Sequence, residues 1–408
     1  TRGCHERGGR RIAGQGRVLG GGPQGEYLRA EEGHYKGPAL RDPAGPGTDG
    51  NEGRGGRGAG RPSKEDEGRS MISLSGSSVG LEELEAIRVC FERQWLGAGQ
   101  ETERFEKTMA ERLGVSDFLF LNSASNGLQM AFHILDLPKY SEVIIPSYAW
   151  ISCANAIILN NLTPVFCDVD YCTGNVTAEH IREKRTQKTS ALLVIHYAGK
   201  PVDMDALSEL GLPIVEDAAH AVDSTYKGFP CGIMGEVGIF SFDPTKNLTT
   251  GEGGGLVVKE ENLMRMARRL RSCGIEKSGI DSDKERWWEY DVYGFFPKML
   301  NTDVAAAMGL VQLKKLQDLQ ARRKALWEQY TRVFTTEAWA IDWIEPPPGP
   351  EAYERHSYFT YQIKLKYGSR DLLAKFLRER GIYTNLRYHP LHLNPAYGSR
   401  DRLVNCER

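Results

Sequence analysis

The sequence predicts an α/β fold built on a mainly parallel sheet. From Met71 onward, short apolar runs alternate with segments of helical periodicity, and this alternation is typical of such sheets. The 408 residues carry a formal net charge of -2, with 40% hydrophobic and 26% charged residues, as in an ordinary globular protein. No run of about 18 apolar residues and no N-terminal apolar segment occurs, so we expect a cytoplasmic protein without a membrane span.

Residues 1–70 differ in composition from the rest. They hold 20 of the 45 glycines but only five residues from the set Leu, Ile, Val and Phe, too few to bury a core. One interpretation is an Arg/Gly-rich arm that binds RNA. The other is a translated upstream stretch ahead of a start at Met71, since ordered patterning begins just after that residue. We prefer the second interpretation, which predicts a tail that is not native and no nucleic-acid partner.

The βαβ series lies between residues 118 and 217. Helices are expected near 125–136, 150–161, 177–185 and 203–210. Each of the predicted strands between them is a short apolar run: 118–122, 142–146, 164–169, 191–196 and 213–217. In an open α/β sheet the ligand binds at the carboxyl ends of the strands, so we expect the site there.

The C-terminal part is predicted to form a second domain. A long helix over 303–335 carries the apolar residues Ala307, Leu310, Leu313 and Leu316 toward the large domain. Beyond it we expect a strand over 358–365 and a helix near 370–380. The predicted domains are 71–330 and 331–408.

Lys246 lies in the strongest local motif, FSFDPTKNLTTGEGGGLVV at residues 240–258. A strand ends at Ser241 and Phe242, and glycines 251–255 lead into another strand. A lysine that attacks a carbonyl must be neutral, which burial or a neighbouring cation achieves. Taken alone, a lysine before a glycine-rich turn is more often a solvated hairpin residue.

Asp217 ends a buried strand in the motif PIVEDAAHA, residues 213–221. Such an aspartate can cap the next helix instead of binding a ligand. Together with Lys246, however, it forms the pair that pyridoxal phosphate needs, because the carboxylate keeps the pyridine nitrogen protonated while the lysine binds the aldehyde. The sequence therefore predicts a pyridoxal-phosphate site.

Two further motifs follow predicted strands. In SASNGL, residues 123–128, small polar residues precede a helix whose free backbone N–H groups can bind a phosphate or can simply be capped by Ser or Asn. In PSYAWISCANAI, residues 146–157, Trp150 can stack on a pyridine ring or fill the core. Because the eight cysteines include no CxxC pair, we expect reduced thiols and no metal site.

These motifs resemble the DegT/StrS-type sugar aminotransferases, fold-type I pyridoxal-phosphate enzymes that act mostly on nucleotide-linked keto sugars. The resemblance spans roughly Met71 to Arg408. It implies a seven-stranded-type sheet sandwiched by helices, a smaller C-terminal α/β domain that stops about 40 residues short of the family pattern, and a homodimer with shared active sites. The motifs that carry it are GAGQETERFEKTMAERLG, SASNGL, PSYAWISCANAI, PVFCDVD, EDAAHA, SFDPTKNLTTGEGGG, WWEYDVYGFFPKMLNTDVAAAMGLVQL and RYHPLHL.

The resemblance also implies roles for single residues. Lys246 would bind the cofactor covalently and carry the proton, and Asp217 would hold the pyridine nitrogen. The other implied contacts are His220 near the phenolic oxygen, Trp150 over one ring face, Ser125, Asn126 and Ser241 at the phosphate, Lys298 at the phosphate of the neighbouring subunit, and His389 and His392 near the sugar. Asp243 stands where relatives frequently have His.

The expected reaction is a transamination in two half-reactions from an amino acid, glutamate, to a nucleotide-linked keto sugar, as in amino-sugar, polysaccharide or lipopolysaccharide biosynthesis. A pyridoxamine-dependent sugar dehydratase is disfavoured because those relatives replace the lysine by His. A cyclitol-ketone aminotransferase and a non-catalytic binding protein of the same fold stay open.

Overall fold

A seven-stranded sheet forms the centre of the protein, as the resemblance implied. The computed structural model describes residues 71–275 and 288–408, so the tail predicted over 1–70 lies outside the described residues. Numbered along the chain, the strands are β1 (Leu119–Leu121), β2 (Glu142–Pro146), β3 (Thr163–Cys167), β4 (Thr189–Ile195), β5 (Ile214–Asp217), β6 (Thr225–Tyr226), β7 (Phe229–Pro230), β8 (Val237–Ser241), β9 (Gly254–Val258), β10 (Ile344–Glu345), β11 (Glu354–Arg355) and β12 (Lys364–Leu365).

The sheet is mainly parallel. Its strands run in the order β1-β9-β8-β5-β4-β2-β3, and only β9 is antiparallel to its neighbours, β1 and β8. The other neighbouring pairs are parallel. The carboxyl ends of β1, β2, β4, β5 and β8 therefore meet at one edge, together with the start of β9.

Helices cover both faces of the sheet. They are α1 (Leu81–Glu92), α2 (Gln100–Leu113), α3 (Ala124–Ile134), α4 (Ile151–Leu159), α5 (Ala178–Lys184), α6 (Met204–Ser208), α7 (Glu261–Leu270), α8 (Asp303–Thr336), α9 (Ala338–Ile341), α10 (Arg370–Glu379) and α11 (Val404–Glu407). The buried apolar side chains of α3, α4 and α7 pack on one face. Those of α2 and α8 pack on the other, with α5 and α6 beside them. The expected sandwich is therefore present.

Buried phenylalanines anchor α2 to the sheet. The ring of Phe105 lies 4.7 Å from that of Phe120 and 5.4 Å from that of Phe242, between ring centres. Such pairs add about 0.5–1.5 kcal/mol each beyond the burial of their area. The long helix predicted over 303–335 is α8, and its Leu310 and Leu313 pack against this cluster while Leu316 is buried in it.

The prediction of a strand over 358–365 is wrong for most of that range. Only Lys364–Leu365 forms a strand, which pairs with β10. The preceding residues bond to loops of the large sheet instead of to a neighbouring strand. The Phe359 N–H donates to the Ala198 carbonyl at 3.2 Å. Tyr358 has a φ of +51°, which interrupts an extended chain.

The helix predicted near 370–380 is present as α10. All described residues fall within the compact unit Asp66–Arg408, and the predicted boundary at residue 330 stays a prediction. Among the helices in the described part of the chain, none is both long and apolar enough to cross a membrane.

Candidate active site

Asp217 is the last residue of β5, at the edge where the carboxyl ends of the strands meet. Its side chain is buried, and its Oδ1 accepts a hydrogen bond from the Ala219 N–H at 2.9 Å. Its Oδ2 accepts one from the Cys153 thiol of α4 at 3.3 Å. Burial and the nearby Asp217 raise the pKa of Cys153 well above its ordinary value, so the thiol keeps its proton and remains a donor.

Lys246 follows β8 in a tight turn, where its N–H donates to the Asp243 carbonyl at 3.0 Å. Its Nζ lies 4.8 Å from the ring centre of Phe359. Burial lowers the pKa of Lys246 to about 8, with Asp217 opposing that shift and Arg387 adding to it. A substantial fraction of the amine is therefore neutral near pH 7.5, the form that attacks a carbonyl.

His220 has two aromatic neighbours in nearly parallel planes. Phe359 stacks on it with 4.2 Å between ring centres, and the ring of Tyr388 lies beside it with 6.1 Å between ring centres. Its Nε2 is hydrogen-bonded to the Tyr388 hydroxyl at 3.0 Å, while its buried Nδ1 has no hydrogen-bond partner among the described residues. Burial, together with Lys246 and Arg387, lowers the pKa of His220 well below its ordinary value, so the imidazole is neutral.

The predicted phosphate residues lie at two neighbouring chain segments. Ser125 and Asn126 are in the first turn of α3, which Ser123 caps by accepting from the Asn126 N–H at 3.2 Å. Ser241 is buried at the end of β8. Gly254 of β9 packs so closely that a Cβ there would lie 2.3 Å from the Ser123 carbonyl carbon, so only glycine fits beside this helix start.

The remaining predicted residues lie in different environments. Trp150 immediately precedes α4 and is 54% exposed, with its ring 5.9 Å from that of Tyr388. Lys298 and His389 are exposed.

His392 is buried. Its Nδ1 is 2.7 Å from the Ser147 hydroxyl and its Nε2 is 3.2 Å from Glu407, so this ring connects the end of β2 to α11. Its predicted contact with a sugar stays a prediction.

The side chain of Asp243 is engaged locally. Its Oδ1 accepts from the Thr245 N–H at 2.9 Å and from the Thr245 hydroxyl at 2.6 Å. The carboxylate thus shapes the turn that carries Lys246. This contact gives a structural reason for an aspartate at a position where relatives frequently have His.

Four residues of the site are not predicted from the sequence: Cys153, Phe359, Arg387 and Tyr388. Cys153 lies in the same motif as Trp150, and Arg387 and Tyr388 begin the loop RYHPLHL. Because the resemblance places this loop near the sugar, its arginine and tyrosine are also candidates for the site. The sequence gives no such signal for Phe359, because its segment has the pattern of a strand.

Similarity to known proteins identifies the family of this chain. The model of the DegT/DnrJ/EryC1/StrS aminotransferase family matches residues 78–407. The chain belongs to this family. It is an enzyme of the sugar-aminotransferase class, and the cofactor of this family is pyridoxal 5'-phosphate.

Individual relatives agree with this membership. The chain is 38% identical over 346 residues to a dTDP-4-dehydro-2,3,6-trideoxy-D-glucose 4-aminotransferase of Saccharopolyspora spinosa, covering 83% of this chain and 89% of that protein. The solved aminotransferase TlmJ of Streptoalloteichus hindustanus matches with a TM-score of 0.78 and 39% identity, over 83% of this chain and 91% of that one. A proposed sugar aminotransferase of Streptococcus pneumoniae, Spr1654, in its PLP form, matches with a TM-score of 0.74 and 27% identity, over 80% and 87% of the two chains.

The residues present in this family member fit pyridoxal phosphate. The buried Nδ1 of His220 has no hydrogen-bond partner within residues 71–275 and 288–408, as expected of an atom that faces a ligand. Asp217 acts electrostatically on Lys246, and the two form no direct ion pair among the described contacts. The free N–H groups at the start of α3 suit an anion.

Proposed function

We propose that this enzyme moves an amino group from an amino acid, glutamate, to the keto carbon of a nucleotide-linked sugar. The observation that carries the proposal is that the buried Asp217 ends β5 and Lys246 follows the neighbouring β8 at the same edge of the sheet, and that the two interact electrostatically, with the pKa of Lys246 lowered to about 8. The relative from Saccharopolyspora spinosa, named for a dTDP-linked keto sugar, supports the substrate class.

Each residue of the pocket has a part in holding the cofactor. Asp217 would face the pyridine nitrogen, with its carboxylate held in place by Cys153 and Ala219. The Nδ1 of His220 would donate to the phenolic oxygen, since Tyr388 occupies Nε2. The start of α3, with Ser125, Asn126 and Ser241, would bind the phosphate, and Trp150 would cover one ring face.

Bound pyridoxal phosphate supplies an electron sink for the carbon that loses or gains a proton. Lys246 performs the proton transfers in both half-reactions. In the first half-reaction its neutral amine would take the α-proton from the amino donor and pass it to the cofactor carbon that keeps the amino group. In the second it would take a proton from that same carbon and deliver it to the sugar carbon that receives the amino group. The apolar ring of Phe359, 4.8 Å from Nζ, keeps water away from this amine.

A homodimer with shared active sites is part of the proposal. The segment after residue 288 presents apolar side chains to the surface, with Phe295 94% exposed and Tyr293 55% exposed. Exposed aromatic side chains grouped on one segment favour a protein interface. Lys298 follows them and would reach the phosphate of the partner's site. Free cysteines support a reducing, cytoplasmic environment.

The proposal is tested by following the two half-reactions separately with the purified, cofactor-loaded chain. Cofactor absorbance is recorded first with glutamate and other amino acids, then with a panel of nucleotide-linked keto sugars and cyclitol ketones. Lys246→Ala should show neither half-reaction, whereas the exposed control Lys259→Ala should show both. Lack of any reaction by the unaltered chain with every donor and ketone would sink the proposal.

A further inference from the structure

Arg387 brings a second cation into the pocket of Lys246. Its guanidinium carbon lies 5.3 Å from the ring centre of Phe359, and the Lys246 Nζ lies 4.8 Å from the same ring centre. The buried Tyr197 hydroxyl donates to the main-chain carbonyl of Arg387. The main chain of Arg387 is therefore held in place, and its guanidinium and the Lys246 amine contact the same aromatic ring.

The guanidinium of Arg387 is not neutralised within the described chain. No ion pair of residues 71–275 and 288–408 involves it, although Arg112 and Arg355 both pair with Asp223. The two carboxylates that act on Lys246 accept their hydrogen bonds from neutral groups and form no ion pair with Arg387 among the described residues: Asp217 accepts from Cys153 and Ala219, and Asp243 from Thr245. The other neighbours are uncharged, since the Cys153 thiol stays protonated and His220 stays neutral.

An arginine without a counter-ion in such a place suits an anionic ligand. A planar guanidinium binds a carboxylate through two parallel hydrogen bonds, and the surrounding aromatic rings reduce competition from water. Two anionic groups come with the proposed substrates: the carboxylates of the amino donor and the diphosphate of the nucleotide sugar. The two differ in how far they lie from the carbon that reacts.

Position decides between these anions. The α-carboxylate of an amino acid is one bond from the carbon whose proton Lys246 removes. The diphosphate of a nucleotide sugar is attached at the anomeric carbon, across the sugar ring from a 4-keto carbon. A cation that shares one aromatic ring with Lys246 is therefore placed for the α-carboxylate. We propose that Arg387 binds the α-carboxylate of the amino donor, an assignment that rests on the proposed function.

The first test compares the two half-reactions in Arg387→Gln. Loss of a charged, two-bond contact should weaken donor binding about 10- to 100-fold. The keto-sugar half-reaction, which contains no amino-acid carboxylate, should stay within about twofold of the unaltered enzyme. Arg387→Lys should recover part of the donor affinity, because it restores the charge without the planar fork. Arg378→Gln on the exposed face of α10 serves as the control.

The second test needs no turnover. Succinate, a dicarboxylate that cannot donate an amino group, is titrated into the cofactor-loaded enzyme by calorimetry. Binding by the unaltered chain and by Arg378→Gln, weakened at least about tenfold in Arg387→Gln, supports the assignment. If Arg387→Gln does not fold, Arg387→Lys in the same titration should show a smaller loss in the same direction.

The outcomes separate this inference from the proposed function. Equal succinate and donor affinity in the unaltered and Arg387→Gln enzymes would overturn the inference while leaving the transamination intact. So would a loss confined to the keto-sugar half-reaction or to cofactor binding, since Arg387 would then serve the diphosphate or the cofactor phosphate. If no donor reacts with the unaltered enzyme, the proposed function fails, and absence of succinate binding would remove the inference as well.

Discussion

The two sides of the pocket are held in place by different means. The strand side consists of Asp217 and Ser241, at the ends of buried strands, and of Lys246 in the turn between β8 and β9. Pairing with β4 and β8 fixes the backbone of Asp217 from both sides, and pairing with β9 fixes that of Ser241. The loop side consists of Phe359, Arg387 and Tyr388, which lie outside any strand in the C-terminal part of the chain.

The loop side is held by ring contacts and by a few hydrogen bonds to other loops. The Phe359 N–H bonds to the Ala198 carbonyl, the Tyr197 hydroxyl bonds to the Arg387 carbonyl, and the Tyr388 hydroxyl bonds to His220. A rigid sheet edge can keep reacting groups in place, whereas loops held at few points tolerate change. We therefore expect the strand side to decide the chemistry and the loop side to decide which substrate binds and how well.

The largest effect is expected from Lys246→Ala, which removes the proposed base of the strand side. General acid-base catalysis contributes about 10² to 10⁴ in rate, and both half-reactions use the same amine, so turnover should fall by at least that factor. Steady-state transamination measures it, with Lys259→Ala as the matched control. Turnover within tenfold of the unaltered enzyme would contradict the role given to Lys246.

Glu216→Gln tests the framework beneath the strand side. The buried Glu216 carboxylate pairs with His196 at 2.8 Å and accepts from the N–H groups of Gly232 at 2.8 Å and Met234 at 2.6 Å. Removing one partner of a buried pair costs about 3–5 kcal/mol. Denaturant unfolding of the cofactor-free chain should show a free energy of unfolding that is lower by that amount.

The exposed Glu328→Gln on α8 should change the stability by less than about 0.5 kcal/mol. Equal stabilities for the Glu216 and Glu328 variants would mean that the His196–Glu216 pair does not support the sheet edge.

The pH dependence of cofactor capture tests the environment of Lys246. Because its pKa is lowered to about 8, the neutral amine becomes more abundant as the pH rises through that value. The rate at which the cofactor-free chain takes up pyridoxal phosphate should then rise about eightfold between pH 7 and pH 8.5 and level off above it. Stopped-flow absorbance gives the profile. A rate still climbing tenfold per unit above pH 9 would indicate an unburied lysine.

The smallest effect is expected from Tyr388→Phe on the loop side. It removes one hydrogen bond, to the Nε2 of His220, and keeps the ring that lies beside the imidazole. A net hydrogen bond contributes about 0.5–1.5 kcal/mol, so cofactor affinity should fall about two- to tenfold. In ¹⁵N NMR of the imidazole, the fixed protonation of Nδ1 should give way to a mixture of tautomers. A fold-loss in cofactor affinity as large as the loss of turnover in Lys246→Ala would contradict the difference proposed between the strand side and the loop side.

The strand side could be predicted from sequence because its signals are local. Asp217 and Lys246 each follow an apolar run, and parallel strands bring their carboxyl ends to one edge. The loop side depends on contacts over long sequence distances. Phe359 alternates with its neighbours as in a strand, yet its N–H bonds to Ala198, 161 positions earlier by the residue numbers, and no local pattern encodes that partner.

The central claim is that Lys246 alone binds the cofactor covalently and lies close enough to Asp217 to share one pyridine ring with it. Borohydride reduction of the cofactor-loaded chain, followed by peptide mass spectrometry, tests this claim most directly. We expect one reduced pyridoxyl group per chain, on Lys246, and a much weaker label when Asp217→Ala is treated in the same way. Label on another lysine, or unchanged labelling in Lys246→Ala, would contradict it.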